Sequence, residues 1–236
     1  VVDASSVMIT HLSEILKGVA DLLLDREDVQ RLIDLVKAKN PTLINELLPD
    51  LVSVGLIQRV LKNLLKESIP IRNLNVILET IADFAAFTKN PDELSEQVRR
   101  RLGVYFVSQY ETEQGVVHAL TLEPRLDQLL ATHVKRTQTD IGLMLDPGLT
   151  QHLLRQLDMR IQAMNEQGLQ SILITSSEVR LPFKRFFEPS FPNLIVLSYQ
   201  EFSSKTQIQT FGIITMPNEM NPLQQENPER TYAQAT

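Results

Sequence analysis

Apolar residues recur at helical spacing from the first turns of the chain. Val7, Met8, Leu12, Ile15, Leu16, Val19, Leu22 and Leu23 predict one amphipathic helix over about 5–24, with Asp3 or Ser5 available as its cap. Asp25 predicts the start of a second helix, with Asp28 at its third position and Val29, Leu32, Ile33 and Val36 as the inner stripe. Asn40-Pro41 restarts the chain as a short helix ending near Pro49. Ser53 opens another, whose Ile57, Val60, Leu61, Leu64 and Leu65 share a face and which Pro70 breaks. Leu74, Ile77, Leu78, Ile81 and Ala85 repeat the pattern. Asn90-Pro91-Asp92-Glu93 then starts a last helix of this module, running to about Leu102.

Beyond Gly103 the texture changes. Val104–Tyr110 and Val116–Leu122 are β-rich runs around a polar segment with Gly115, which predicts a hairpin. Helices are expected at about 124–136, after Asp146-Pro147 to about 165, and around 178–187. Ser171–Thr175, Asn193–Ser198 and Ile208–Thr215 read as buried strands. Strands alternating with helices after a helical half predict an α+β protein of several subdomains: a helical one, then an α/β one with a small mixed sheet. Residues 217–236 hold three prolines, many polar residues and few large apolar ones, and are expected to be disordered.

Composition narrows the function classes. With 236 residues, 43% of them hydrophobic, the chain can bury a substantial core. No run approaches the ~18 apolar residues of a membrane span, and the start lacks the flanks of a signal peptide. The chain opens on Val1, and is expected to be a piece of something longer. Cysteine is absent, so thiol chemistry, thiolate metal sites and disulfides are excluded. A net charge of -6 argues against nucleic acid, whose phosphates call for a basic face. Arg99, Arg100 and Arg101 form a local basic run, read as a solvated helix end facing the helix dipole. His11, His118, His133 and His152 fall in separate elements without ligand spacing, so no metal or other cofactor is expected. No phosphate-cradling or nucleophile-elbow motif occurs. The helix pair around the SIPI connection at 68–71 lacks the basic outer face of a DNA reader. No enzyme class is supported.

Three segments carry a resemblance. VVDASSVMITHLSE (1–14), QRVLKNLLKESIPIRNLNVILETIAD (58–83) and NLIVLSYQE (193–201) resemble the cytoplasmic half of the type III secretion export gate family, which includes FlhA and SctV. The resemblance implies a non-enzymatic subunit of a nine-membered ring at the bacterial inner membrane. Membrane helices absent here would anchor it, with this segment on the cytoplasmic side. Residues 1–23 would close a first cytoplasmic subdomain, 24–103 form a helical ring-forming subdomain and 104–216 an α/β C-terminal subdomain. Export chaperones, secreted substrates and other export components, including the ATPase complex, are the implied partners. The segment 173–187 and the polar tail favour a virulence apparatus over a flagellum.

The family docks chaperones and substrates in an apolar depression whose share of this chain corresponds to Val2, Val7 and Thr10. Thr10 falls off the apolar face of its helix, which suits that role. Val2 and Val7 could equally pack against the rest of the first subdomain. Charged residues at helix ends of the helical module, Arg26, Glu27, Arg72 and Arg99, are the candidates for the ring interface. For each of these the plain alternative is a cap or a surface ion pair worth ~0–1 kcal/mol. A structural scaffold without direct docking is the competing reading.

Overall fold

The computed structural model describes residues 3–137 and 140–217. The chain divides into two compact units. The first holds Val1–Glu111 and two returns of the chain, Arg136–Ile141 and Gln200–Lys205; the second holds the remainder. The α+β architecture expected from the sequence is the one observed.

The first unit is helical: α1 (Ala4–Leu23), α2 (Arg26–Lys37), α3 (Pro41–Leu47), α4 (Val54–Lys66), α5 (Leu74–Ala85) and α6 (Pro91–Phe106). Their starts are set by short polar side chains that accept from otherwise unpaired N–H groups. Asp25 and Asp28 form a reciprocal capping box, and Asn40, Ser53 and Asn90 accept from the amides of Leu43, Leu56 and Asp92. Helices α2 to α6 surround a core that includes Val29, Ile57, Val60, Leu64, Ile77 and Leu94, none of them detectably exposed. Each such side chain contributes ~1.5–3 kcal/mol of burial. Helix α1 lies along α4, and the Gln58 amide donates to the Leu24 carbonyl where α1 ends.

The second unit is built on a four-stranded parallel sheet in the order β5-β4-β1-β6. Its strands are β1 (Val116–Leu122), β4 (Ile172–Thr175), β5 (Ile195–Ser198) and β6 (Gln207–Ile214). A separate two-stranded sheet joins β2 (Val134–Arg136) to β3 (Ile141–Leu143). Helix α8 (Pro147–Glu166) packs on β6 and α9 (Ser177–Phe187) on β4 and β5, with α7 (Pro124–Thr132) against α9. Leu120, Leu153, Phe183 and Val196 meet in one buried cluster. A register shift beside Ala119 leaves Phe211 as an extra residue in β6.

Two sequence expectations are corrected. Val104–Tyr110 is no strand: α6 continues to Phe106 and a 3-10 turn covers Val107–Tyr110. Leu102, Phe106 and Val107 are buried while Val104 and Tyr105 are exposed, a helical period that outweighs the β-rich composition. No hairpin therefore precedes β1, which pairs in parallel with β4 and β6. The helix expected over 124–136 stops at Thr132, and β2 follows. The tail expected to be disordered, 217–236, lies outside the described residues apart from Pro217.

Candidate functional site

The residues singled out from the sequence that the structure describes all lie in the first unit. On α1, Val7 is 53% exposed and Thr10 is also exposed, while Val2 lies outside the described residues. Met8, Ile9, Leu12 and Leu16 are exposed too. Val7, Met8, Leu12 and Leu16, four of the apolar positions that predicted this helix, therefore form a stripe that the described residues leave uncovered, with Thr10 beside it. Asp3 stands at the helix start in extended conformation, without a capping bond from its side chain.

The charged candidates separate into two groups. Arg26 and Glu27 are exposed in the first turn of α2. The Arg26 guanidinium lies over Gly55, 3.2 Å from where a Cβ would stand. Beside them the Asp25 carboxyl is held below its ordinary value, first of all by the hydrogen bond from the Asp28 amide. Arg72 is exposed just before α5 and lines a cleft of about 360 Å³ together with Leu35, Lys39, Leu74 and Tyr105. Leu35 and Tyr105 are themselves 64% and 58% exposed, so the cleft has an apolar wall and a cationic rim.

Arg99 is the correction. It was expected at a solvated helix end, available to a neighbour, but it is 3% exposed. Its Nε donates to Glu201 Oε1 at 2.8 Å, and its Nη1 lies 3.0 Å from Glu67 Oε2. The guanidinium carbon sits 5.3 Å from the Phe106 ring centre, a cation–π distance. Burial beside this cluster pushes the Tyr110 phenol up. Of the basic run only Arg100 and Arg101 face solvent. Glu201 and Glu67 were missed by sequence reasoning. Glu201 closes the segment 193–201, but nothing local in that segment points to a partner 102 positions earlier.

The carboxyl ends of the parallel strands are where an open α/β sheet would bind a small ligand. Here their polar groups satisfy one another. Ser176 donates to Asp127 from both its amide and its hydroxyl, each at 3.1 Å. Glu123 accepts from the Met216 amide, and Gln156 bonds the Thr215 backbone at both N–H and C=O. Burial pushes the Asp127 carboxyl up despite its two bonds. Among the described residues no group of three or more His, Cys, Asp or Glu could hold a metal. No described helix is long and apolar enough to cross a membrane.

The family profile described as the FHIPEP family matches residues 1–207. The flagellar biosynthesis protein FlhA of Bacillus subtilis is 35% identical over 214 residues, which are 91% of this chain and 32% of that protein. The chain thus spans about a third of the length of the curated relatives it matches. Two solved structures share the fold. One is the Chlamydia pneumoniae CdsV and CdsO protein complex: 26% identity, TM-score 0.74, 89% of this chain and 61% of that one. The other is the nonameric EPEC SctV-C: 22% identity, TM-score 0.77, 86% and 61% covered.

Proposed function

This chain belongs to the FHIPEP family, and from that premise we propose that it is the rear part of the cytoplasmic region of a type III export gate, a ring-forming platform without chemistry of its own. The observation that carries the reading is the family match over residues 1–207, which takes in both units. In this reading residues 1–23 close a first subdomain, 24–103 form the ring-forming subdomain and 104–216 the C-terminal one. The whole protein is anchored in the inner membrane by segments outside this chain and presents this part to the cytoplasm.

Chaperone-substrate complexes dock on the surface that includes Val2, Val7 and Thr10. The apolar stripe on α1 that the described residues leave uncovered is compatible with docking and equally with packing against the rest of the first subdomain, so Thr10, which stands beside it, carries the docking test. Nine copies close head to tail through two different patches, with Arg26, Glu27 and Arg72 as their charged edges. A relative of the same fold is described as nonameric. CdsV in complex with CdsO supports a third kind of partner, another component of the export apparatus.

Thr10→Met in the full-length protein tests docking. A bulky side chain at an exposed position fills a depression without disturbing a core, so calorimetry is expected to give at least tenfold weaker chaperone-substrate binding at an unchanged melting temperature. Unchanged affinity would leave the scaffold reading, in which rings form and docking happens elsewhere. Electron microscopy of the purified cytoplasmic region, looking for closed rings, tests the assembly itself.

A further inference from the structure

Strand β6 is an edge of the four-stranded sheet, and its eight residues QIQTFGII carry no charge and no proline. Edge strands of this length are ordinarily blunted by lysine, proline or a covering element. The Gln207 amide donates to the Gly115 carbonyl, and the Ile214 carbonyl accepts from Glu123. A parallel ladder alternates, so the groups turned away from β1 belong to Ile208, Thr210 and, past the extra residue Phe211, Ile213. Ile208 and Ile213 are also 37% and 47% exposed. Outward main-chain donors and acceptors flanked by uncovered isoleucines are what strand addition uses.

The geometry points to β6 as a capture site for an extended, unfolded segment of exported polypeptide, which joins the sheet as a fifth strand. This rests on the platform reading above. Main-chain pairing is indifferent to sequence, and β6 itself carries no charge; the cation against it is the Arg160 guanidinium of α8, which packs over Gly212. The edge is about 27 Å long and ~10 Å thick, roughly 300 Å² per partner. A stable folded interface needs ~800 Å² per partner, so the contact suits a passing chain better than a permanent dimer. A second copy fits poorly. The opposite edge, β5, has four residues, and its Val196, Leu197 and Ser198 are buried. A β6-to-β6 pair would be a closed twofold contact, which cannot propagate around a ring.

The test uses the full 236-residue chain and, as probe, fluorescently labelled lactalbumin kept unfolded by reduction and carboxymethylation. The probe is expected to slow amide exchange at Ile208, Thr210 and Ile213. Thr210→Pro removes an outward donor without breaking the ladder, and Ile208→Lys adds the charge that natural edges use for protection. Each is expected to weaken probe binding at least tenfold at an unchanged urea midpoint; should the proline variant not fold, the lysine variant decides alone. Probe affinity unchanged in the folded variants overturns the proposal. So does protection that grows with protein concentration without probe, which means a second copy, or protection lost on removing 218–236, which means the chain's own terminus. The same substitutions placed in the full-length protein, where rings and chaperone binding are expected to persist, separate this failure from failure of the platform reading.

Discussion

Arg99 and Glu201 meet as a buried ion pair, Nε to Oε1 at 2.8 Å, across 102 positions of sequence. Their side chains are 4% and 2% exposed, and Glu67 completes the cluster from the end of α4. A lone buried charge is costly, so removing one partner exceeds the net worth of the pair. Arg99→Met, which strands two carboxylates, is expected to lower unfolding free energy by about 3–5 kcal/mol, and Glu201→Ala by less, because Glu67 still pairs Arg99. Urea titration of the single and double variants measures this. Additive losses would show that the pair is not coupled.

Gly103 explains why the same return of chain lies so close to α6. A Cβ there would stand 2.0 Å from the Glu201 carbonyl oxygen, and backbone cannot give way as a flexible side chain does. Gly103→Ala is therefore expected to cost more than the ~1–3 kcal/mol of ordinary overpacking. Gly55→Ala meets only the movable Arg26 guanidinium, and Gly18→Ala meets nothing within 4 Å. Both lie inside helices, where alanine is favoured by up to ~1 kcal/mol. Melting temperatures that rank Gly103→Ala no lower than these two would refute the close approach.

Asp127 and Asp25 act in opposite directions with pH. Burial raises the Asp127 carboxyl from its ordinary 3.8, so the fold favours its protonated form. That contribution is full below the unfolded value and is lost as pH rises through the raised folded value. The hydrogen bond from the Asp28 amide lowers Asp25 from 3.8, so its contribution is present above that value and lost as pH falls through the lowered one. Asp127→Asn is expected to abolish the stability loss just above the ordinary carboxylate range, while Asp25→Ala flattens the loss below it. Urea midpoints from about pH 3 to 7 check both; profiles parallel to the wild type would contradict the assignment.

The first unit was legible because its signals are local. Asp25, Asn40, Ser53 and Asn90 each cap the helix that their position announces, and the expected stripes of α2, α4 and α5 are buried except for Leu32, Leu65 and Leu74, which are half-buried. The errors came where composition and period disagree. Val104–Tyr110 is rich in β-formers, yet its burial follows 3.6 residues per turn because Phe106 and Val107 belong to the core. The candidate surfaces were legible only in part. Charge at a helix end marks Arg26 and Arg72 as exposed, but the same rule fails for Arg99, whose burial depends on Glu201 arriving from far along the chain.

Arg72 now carries the assembly prediction that Arg99 cannot. It is exposed ahead of α5, makes no ion pair or hydrogen bond among the described residues, and shares its cleft with Lys39 and the exposed Leu35 and Tyr105. Helix α5 commits Ile77, Leu78 and Ile81 to the core, and Arg72, two positions ahead of its first residue, stands exposed. Arg72→Glu puts an acidic group near a helix start, where the dipole favours it by ~0.3–1 kcal/mol. The protomer should therefore melt within a few degrees of the parent. A head-to-tail ring needs every copy of the contact, so reversing one charge acts at each of its interfaces at once. The expected outcome in the purified cytoplasmic region is a folded monomer by light scattering and no rings by electron microscopy, with secretion lost in cells. Lys39→Glu, on the same rim, is expected to act alike. Rings that survive both reversals would move the interface to Arg26 and Glu27 at the start of α2, where the same measurement on Arg26→Glu decides.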